Sequence, residues 1–482
     1  MSALLPLAPP PIEAPIPVGT RVTLDPEARF LDRDLLCGGS PWRLLRLPGG
    51  SRVVAERWRG GGDVNAGEER FARTLMQQGL LHPLPSARAD VELVDVVTPV
   101  HDDADRLERL LEGLTGLHVT VVDDGSPTPE RIATIAARFG ASLVRLDQNQ
   151  GPAAARNAGA RATTRPLLMF LDVDLSLERP LDVLGRLQPY FLDPLVAAIA
   201  PRVKGVAGPS VRDRFEMLFS PLDMGPRSGL VVAGSHVAYV PSACLMVRRS
   251  AFGEGFDESL RTGEDVDLVW RLAERGWLVR YDAATIVTHR ARTTWPRWWS
   301  QRVRYGASTA ELAQRHGDRM APLRVDPWTL AAWSSVLWGK PVIGARITAM
   351  AHRRIRTRLA GTTEEPGRVA GTLVGRGMVG AGGPLARAVV RTFALPLLLS
   401  ALHPRLRRRS LGLYVVGTAW RWRSTRLRVA DIPVAVADDL AYGVGVYQGA
   451  WRTRSLRALR PRVTKSTLGL REILSLRSRR YH

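Results

Sequence analysis

The sequence predicts an α/β fold with a doubly wound, mostly parallel, Rossmann-like sheet in the middle of the chain. Two observations predict it: strands that are apolar along their whole length alternate with amphipathic helices, and polar motifs follow the strands. Strands are expected at 93–100, 119–123, 142–146 and 167–171, and helices at 103–116, 128–139 and 152–162. Strands buried on both faces have this continuous apolar pattern, so helices are expected to cover both faces of the sheet.

Other regions flank this sheet. The predicted boundaries are 1–20 for a flexible, proline-rich lead, 21–86 for a small α+β domain, 90–320 for the α/β domain and 321–482 for a basic, mainly helical region. Prolines exclude a helix from the lead. Within the small domain, the pattern predicts strands at 29–32, 43–47 and 52–58 and a helix over 68–79.

Composition narrows the class of protein. The 482 residues suffice for a large core, and the only cysteines are Cys37 and Cys244, too few for a disulfide framework or a cysteine-ligated zinc site. The net charge of +22 lies in the C-terminal part, because residues 331–482 contain 28 basic and 6 acidic residues whereas residues 1–330 contain 40 of each. The balanced first part argues against nucleic acid as its ligand.

The chain shows no export signal, because its first residues lack a basic segment followed by a continuous apolar one. The longest apolar stretches of the tail, 392–403 and 411–420, are shorter than the roughly 20 residues that span a bilayer. A cytoplasmic protein, peripheral at the inner face of the cell membrane, is the expectation.

Polar motifs follow the predicted strands. ThrPro at 98–99 ends the first strand and AspAspGlySer at 123–126 follows the second. In doubly wound sheets ligands bind beyond the carboxyl ends of the strands. Carboxylates such as Asp123 and Asp124 accept hydrogen bonds from a nucleobase or ribose there, although a turn with an aspartate cap is an equal interpretation.

A second carboxylate pair, Asp172 and Asp174, follows the strand at 167–171. Residues two apart on an extended chain point to the same side, and two close carboxylates repel unless a cation lies between them. Oxygen ligands suit Mg²⁺ or Mn²⁺, which would neutralise a leaving diphosphate. A pair that caps the strand end is the alternative.

GlyGluAspValAsp at 263–267 opens a predicted helix. Acidic residues are favoured at a helix start by the dipole, which alone explains Glu264 and Asp265. Beside a cleft, however, such a carboxylate can deprotonate an acceptor hydroxyl.

Five motifs together resemble family 2 glycosyltransferases with the GT-A fold, over about residues 93–315. They are ThrProValHis at 98–101, AspAspGlySer at 123–126, AsnGlnGlyProAlaAlaAlaArgAsnAlaGly at 149–159, LeuAspValAsp at 171–174 and GlyGluAspValAspLeu at 263–268. The resemblance implies an inverting, metal-dependent transferase with a UDP-sugar donor, and glucose is the sugar expected to be transferred.

The same resemblance implies roles for individual residues. The nucleotide-sugar would contact Thr98, Pro99, Asp123, Asp124, Arg156, Asn157 and Asp172. Asp172 and Asp174 would also hold the metal and diphosphate, and Asp265, with Glu264 beside it, would be the catalytic base. His289 lies where some relatives have a third metal ligand, although a structural histidine explains it equally well.

GlnArgValArgTyrGly at 301–306 is similar to the GlnXaaXaaArgTrp motif of processive β-glucan synthases. On this resemblance Tyr305 stacks on the acceptor sugar, and Gln301, Arg302 and Arg304 bind the acceptor or the diphosphate. Tyrosine in place of tryptophan leaves processivity open, and a plain amphipathic helix is the alternative.

The segments 38–47 and 71–85 resemble small winged-helix domains that recognise leader peptides. Such a domain joined to a family 2 transferase and a basic tail is similar to the glycosyltransferases of the mycofactocin system. The architecture implies a peptide-derived redox cofactor, or its precursor peptide, as the acceptor. A transferase acting on a cell-envelope glycan or lipid is the alternative.

The basic tail intersperses arginine with apolar residues and tryptophan, at 352–358, 404–409 and 420–428. That composition suits helices lying on an anionic membrane surface. A helical subdomain with a solvated basic face, or a scaffold that binds nucleic acid or membrane, are the other interpretations.

Overall fold

The computed structural model describes residues 14–47, 49–86, 88–206, 208–290, 294–423 and 427–464. Most of the predicted proline-rich lead, residues 1–13, and the end of the predicted basic region, residues 465–482, lie outside the described residues.

Strands and helices alternate through much of the described chain. The strands are β1 (Arg21–Leu24), β2 (Arg29–Phe30), β3 (Leu35–Gly38), β4 (Arg43–Arg46), β5 (Gly62–Asp63), β6 (Leu81–Pro83), β7 (Val94–Val100), β8 (His118–Asp124), β9 (Ser142–Leu146), β10 (Leu167–Leu171), β11 (Leu175–Ser176), β12 (Val196–Gly205), β13 (Gly229–Leu230), β14 (Cys244–Arg248), β15 (Leu278–His289), β16 (Arg324–Val325) and β17 (Arg462–Val463). The α-helices are α1 (Ser51–Arg57), α2 (Glu69–Gln77), α3 (Ala104–Gly113), α4 (Pro129–Arg138), α5 (Pro152–Arg161), α6 (Pro180–Leu187), α7 (Val211–Phe219), α8 (Arg249–Phe252), α9 (Glu264–Glu274), α10 (Trp295–His316), α11 (Pro327–Leu337), α12 (Pro341–Leu359), α13 (Pro366–Arg387), α14 (Ala394–Ser400), α15 (Pro404–Trp422) and α16 (Ile432–Arg452).

The described chain forms two compact units. The first holds the described residues of 14–27, 39–42 and 55–290, and the second those of 28–38, 43–54 and 294–464. Residues 21–86 are therefore shared between the two units, and a separate winged-helix domain over this range stays a prediction.

A large mixed sheet forms the centre of the first unit, in the order β11-β15-β12-β14-β10-β7-β8-β9, with β13 paired to β15. The four predicted strands correspond to β7, β8, β9 and β10. Within this group every pairing of neighbouring strands is parallel, as expected. The antiparallel β14 then joins the β10 edge and extends the sheet. The predicted α/β fold is confirmed, with β7 to β10 as the parallel part of a mixed sheet, and these parallel strands end at one edge.

Helix α5 lies close against this sheet because its sequence is built from small residues. A Cβ atom on Gly159 would lie 2.3 Å from Val97 Cγ1 and 2.9 Å from Val122 Cγ2. Such distances leave no room for a side chain, so glycine sets the approach of α5 to β7 and β8. The close packing places the start of α5 beside the carboxyl ends of those strands.

The strand predicted at 52–58 is wrong, because α1 occupies residues Ser51–Arg57. Ala55 and Trp58 are both fully buried whereas Val53 is exposed. Buried residues three apart fit the repeat of a helix and not the alternation of a strand. The two valines had suggested a strand through their β propensity, which tertiary context overrides.

Helices make up most of the second unit, as predicted for the basic region. In the described residues no single helix is both long and apolar enough to cross a bilayer. The segment Pro366–Thr392 followed by Ala394–Ser400 meets the length and composition criteria as a pair, but the pair is bent by 70°.

Helices α10 and α16 of the second unit approach each other through glycines. A Cβ atom on Gly445 would lie 2.0 Å from the backbone oxygen of Val303, and one on Gly449 would lie 2.2 Å from that of Ala307. Because backbone atoms cannot move aside cheaply, these positions require glycine.

The glycine contact gives a stability prediction. Gly445→Ala is expected to destabilise the second unit by about 3 kcal/mol, because the added methyl group overpacks a backbone contact. Gly412→Ala, in α15 of the same unit, has nothing within 4 Å of its new Cβ and is the control. It is expected to stabilise by about 0.5 to 1 kcal/mol through helix propensity. Urea unfolding followed by circular dichroism measures both, and equal midpoints for the two variants would contradict the close packing.

Candidate active site

The motifs that follow the parallel strands meet at one edge of the first unit's sheet. Thr98 and Pro99 are near the end of β7, Asp124 ends β8, and Asp172 directly follows β10. The Thr98 side chain is fully buried, and its hydroxyl has no hydrogen-bond partner among the described residues. This edge is the candidate active site.

The two carboxylates at the end of β8 are engaged by the chain itself. Asp123 accepts a hydrogen bond from the Ser126 backbone N–H at 2.9 Å and pairs with Arg145. Asp124 accepts from the backbone N–H groups of Gln150 at 2.7 Å and Gly151 at 2.9 Å. Asp123 thus shapes the turn after β8, and Asp124 holds the loop that leads into α5.

A buried arginine links the end of β10 to the start of α9. Arg156 donates to Asp172 Oδ1 at 2.7 Å and to Glu264 Oε1 at 2.9 Å, and its guanidinium lies over the Phe256 ring. Burial favours the neutral form, but the negative charges of Asp172 and Glu264 outweigh it and raise the Arg156 pKa. Arg156 is therefore a permanent cation between two carboxylates at the sheet edge.

The link through Arg156 gives a second stability prediction. Arg156→Met keeps the bulk but leaves Glu264 buried without its cation, so the first unit is expected to lose about 3 kcal/mol of unfolding free energy. Arg161→Met, at the exposed end of the same helix, is the control and is expected to change it by less than about 0.5 kcal/mol. Urea titration distinguishes them, and two equal values would show that the buried pairs contribute nothing.

Asn157 adjoins Arg156 but points to another part of the chain. Its Nδ2 donates to the Phe256 carbonyl oxygen at 2.8 Å and to Glu258 Oε1 at 2.9 Å, and its Oδ1 accepts from the Phe256 N–H at 2.9 Å. The side chain is buried. Asn157, on α5, thus fastens the loop before α9 to that helix.

Asp174 and His289 meet across the sheet edge, although 115 residues separate them. Strand β11 pairs with β15 so that Leu175 lies opposite His289, which brings Asp174 Oδ2 to 3.0 Å from His289 Nε2. Burial lowers the His289 pKa, but the hydrogen bond and negative charge of Asp174 outweigh it and raise the pKa. The predicted neighbours Asp174 and His289 are thus in contact.

The contact between Asp174 and His289 affects whether the two side chains can bind a divalent cation. Asp174 Oδ2 and His289 Nε2 are 3.0 Å apart, which is a hydrogen-bond distance, so Nε2 would have to be free of its proton before both groups could bind one cation. Among the described residues, no group of three or more His, Cys, Asp or Glu side chains is arranged to hold a metal ion. Mg²⁺ sites usually have one or two carboxylates, with water and substrate phosphates as the other ligands. The donor chemistry therefore fits such an ion.

Asp265 lies in the first turn of α9, directly after Glu264. Gly263 directly precedes the helix as its N-cap, and its φ of 88° is a left-handed conformation that favours glycine. Asp265 is half-buried and accepts a hydrogen bond from the Val266 N–H at 2.8 Å. Burial and the negative charge of Glu264 raise the pKa of Asp265 to about 7. A carboxylate with this pKa can take up a proton near neutral pH.

The motif at 301–305 lies on α10, in the second unit. Arg302 is 1% exposed, donates to Asp438 Oδ1 at 2.7 Å and packs over the Trp298 ring. Gln301 donates to the Tyr305 hydroxyl at 2.9 Å, and Arg304 is exposed. The Arg302 guanidinium is thus committed to the interior of the second unit, whereas Arg304 faces solvent.

Sequence reasoning missed two residues of the site. Arg145 is the register partner of Asp123 on β9, and Glu258 accepts from Asn157. Strand register would have identified Arg145, since parallel pairing places it beside Asp123. Glu258 lies in an irregular loop, for which the sequence contains no comparable signal.

Comparison with known proteins identifies the class. Residues 95–256 match the family model Glycosyl transferase family 2, and a relative named as a glycosyltransferase is 36% identical over 468 residues. The chain belongs to glycosyltransferase family 2 and is a glycosyltransferase. That relative is the pre-mycofactocin glycosyltransferase of Mycobacterium tuberculosis, and the match covers 93% of this chain and 98% of the relative.

Two further proteins are less similar to this chain: one matches a shorter part of the sequence, and the other matches at lower sequence identity. The N-acetylglucosaminyl-diphospho-decaprenol L-rhamnosyltransferase of Mycobacterium tuberculosis is 44% identical over 100 residues, 20% of this chain and 32% of that protein. The solved structure of the mannosyltransferase PcManGT from Pyrobaculum calidifontis, in complex with GDP-Man and Mn²⁺, is 17% identical. It covers 71% of this chain and 91% of that one with a TM-score of 0.37.

Proposed function

We propose that this glycosyltransferase transfers glucose from UDP-glucose, with inversion and with a divalent cation, to a peptide-derived redox cofactor of the mycofactocin type. The product would be β-linked, formed in one or more rounds. The observation that carries the proposal is the environment of Asp265, whose pKa is raised to about 7 by burial and by Glu264. Glu264 accepts a hydrogen bond from Arg156, which also donates to Asp172.

In the proposed reaction Asp265 acts as the general base. An acceptor hydroxyl oxygen attacks the anomeric carbon of the donor, and its proton passes to Asp265. The bond between the anomeric carbon and the phosphate oxygen breaks, and UDP departs with the electron pair. A single displacement inverts the anomeric configuration. Arg156 supports the step by holding Glu264 and Asp172 in place, so that Asp265 stays at the sheet edge.

The metal would be held by Asp174, with Asp172 and His289 beside it, because carboxylate oxygens are the ligands that a hard cation prefers. When bound, a Mg²⁺ or Mn²⁺ ion supplies positive charge that stabilises the leaving diphosphate. Asp123 and Asp124, which hold the loops at the end of β8, would define the nucleotide side of the same edge.

The acceptor proposal depends on the near full-length relative. The match covers 93% of this chain and so extends well beyond the 95–256 segment that the family model matches. The region before the sheet would recognise the peptide part of the acceptor. On α10, Gln301, Arg304 and Tyr305 would contribute to acceptor binding, and buried Arg302 would position them.

A matrix of donors and acceptors tests the proposal. The purified protein is incubated with Mn²⁺ and each of UDP-glucose, UDP-galactose, UDP-N-acetylglucosamine, GDP-mannose and dTDP-rhamnose. The acceptors are the peptide-derived redox cofactor and a polyprenyl diphosphate sugar. Mass spectrometry is expected to show hexose additions to the cofactor with UDP-glucose. Transfer only to the lipid-linked acceptor, or only from another donor, would contradict the proposed substrates while leaving the class of enzyme intact.

A further inference from the structure

Two helix turns of the second unit expose apolar side chains. The turn between α11 and α12 carries Leu337, Trp338 and Val342, and the turn between α14 and α15 carries Leu402 and Leu406. Trp338 is 71% exposed and Leu402 is 74% exposed, and the other three are also exposed. These five residues are called the apolar tip. Turns are usually polar, so a concentration of large apolar side chains at two turns indicates a contact surface.

A contact between α15 and the turn that follows α11 joins the two turns. The Arg409 guanidinium of α15 lies 5.9 Å from the centroid of the Trp338 ring. Leu406 precedes Arg409 by three residues on the same helix, and residues at this spacing lie on one face. Gly339, with a φ of 76°, allows the tight turn that projects Trp338. The apolar tip is therefore formed by neighbouring elements of one unit.

Basic residues surround the apolar tip, and acidic residues are absent from its segments. Lys340, Arg405, Arg407, Arg408 and Arg409 flank the tip residues in the sequence and are exposed. Residues 327–363 contain six basic residues and no acidic one, and residues 393–428 contain eight basic residues and no acidic one. A partner that presents negative charge around an apolar interior would complement both features.

We propose that the apolar tip inserts into the headgroup region of an anionic phospholipid bilayer, with the surrounding arginines against lipid phosphates. Tryptophan favours the boundary between hydrocarbon and water, and exposed basic residues are attracted by anionic lipids. Nucleic acid would match the basic residues but would leave Leu337, Val342, Leu402 and Leu406 unburied. This inference concerns where the enzyme works and does not depend on the proposed donor or acceptor.

Vesicle flotation of the full-length chain tests the inference. Vesicles of phosphatidylcholine with phosphatidylglycerol are expected to carry the protein upward, and pure phosphatidylcholine to carry much less. Trp338→Ser with Leu402→Ser is expected to lower the partition coefficient on the anionic vesicles at least about tenfold. Arg405→Gln with Arg408→Gln is expected to lower it about 30-fold. High salt should weaken binding of the native chain because it screens the lipid charge.

Matched variants exclude general effects on solubility or charge. Leu192→Ser removes a side chain that is 77% exposed in the first unit, and Arg131→Gln with Arg138→Gln removes two exposed arginines of α4. Both are expected to float as the native chain does. Trp338→Phe should retain most of the binding because it keeps an apolar aromatic ring, which also distinguishes insertion from loss of folding.

Three outcomes would overturn the inference. They are absence of the native chain from the anionic vesicles, flotation of the tip variants equal to that of the controls, and a dimer in light scattering that Trp338→Ser separates. The last result would assign the apolar tip to self-association. Flotation requires no turnover, so these outcomes are distinct from a failure of the donor and acceptor assay.

Discussion

Asp265→Asn is expected to lower kcat for sugar transfer by about three orders of magnitude while leaving the affinity for UDP unchanged. General base catalysis contributes roughly 10² to 10⁴ in rate, and asparagine keeps the shape but cannot accept the proton. The native hydrogen bond from the Val266 N–H to Asp265 Oδ1 can be retained by the asparagine oxygen. A rate assay with isothermal titration of UDP separates chemistry from binding.

Asp182→Asn is the matched control, because Asp182 is also an acidic residue in the first turn of a helix, α6. It is expected to retain native kcat. If both variants lose activity equally, or if Asp265→Asn still elongates acceptor at the native rate, Asp265 is not the base.

The pH profile gives an independent check on Asp265. The base must be deprotonated to act, and its pKa is raised to about 7 by burial and by Glu264. Hence kcat/KM is expected to rise as pH increases through about 7 and to level off above it. In Asp265→Asn the residual rate should lack this rise. A native profile that is flat between pH 6 and 8, on the order of one unit either side of the pKa, would contradict the assignment.

Asp174→Ala is expected to abolish turnover, with a loss of at least about 10³ in kcat/KM, and to remove the effect of Mn²⁺ on UDP binding. The expectation follows from the several kcal/mol that a cation contributes to a developing diphosphate charge. Titration of UDP with and without Mn²⁺ measures it directly. Unchanged UDP affinity in the presence of Mn²⁺ would remove Asp174 from the metal site.

Two variants make the Asp174 experiment specific. Asp147→Ala removes an exposed carboxylate that follows β9, another strand of the same sheet, and should behave as the native enzyme. His289→Gln breaks the contact with Asp174 but keeps the carboxylate, so it should weaken Mn²⁺ binding by less than Asp174→Ala does. An effect of His289→Gln as large as that of Asp174→Ala would make the imidazole an equal ligand.

The strands and helices that form the site edge could be predicted because their patterns are local. Apolar runs at 93–100 and 167–171 appear as β7 and β10, and the helix over 152–162 appears as α5. Burial on both faces requires a continuous apolar run, which is visible without any tertiary information. The strand predicted at 52–58 was wrong because the local pattern does not contain the tertiary contacts that bury Ala55 and Trp58.

The sequence by itself determined that carboxylates would meet at the carboxyl edge of a parallel sheet, because strand direction places Asp124 and Asp172 at the same edge. Tertiary structure alone decided which groups pair there. Arg156 joins Asp172 to Glu264, which lies 108 residues after Arg156, and β11 brings Asp174 to His289. These contacts depend on strand register and loop path, whose free energies come from long-range packing and not from neighbouring residues.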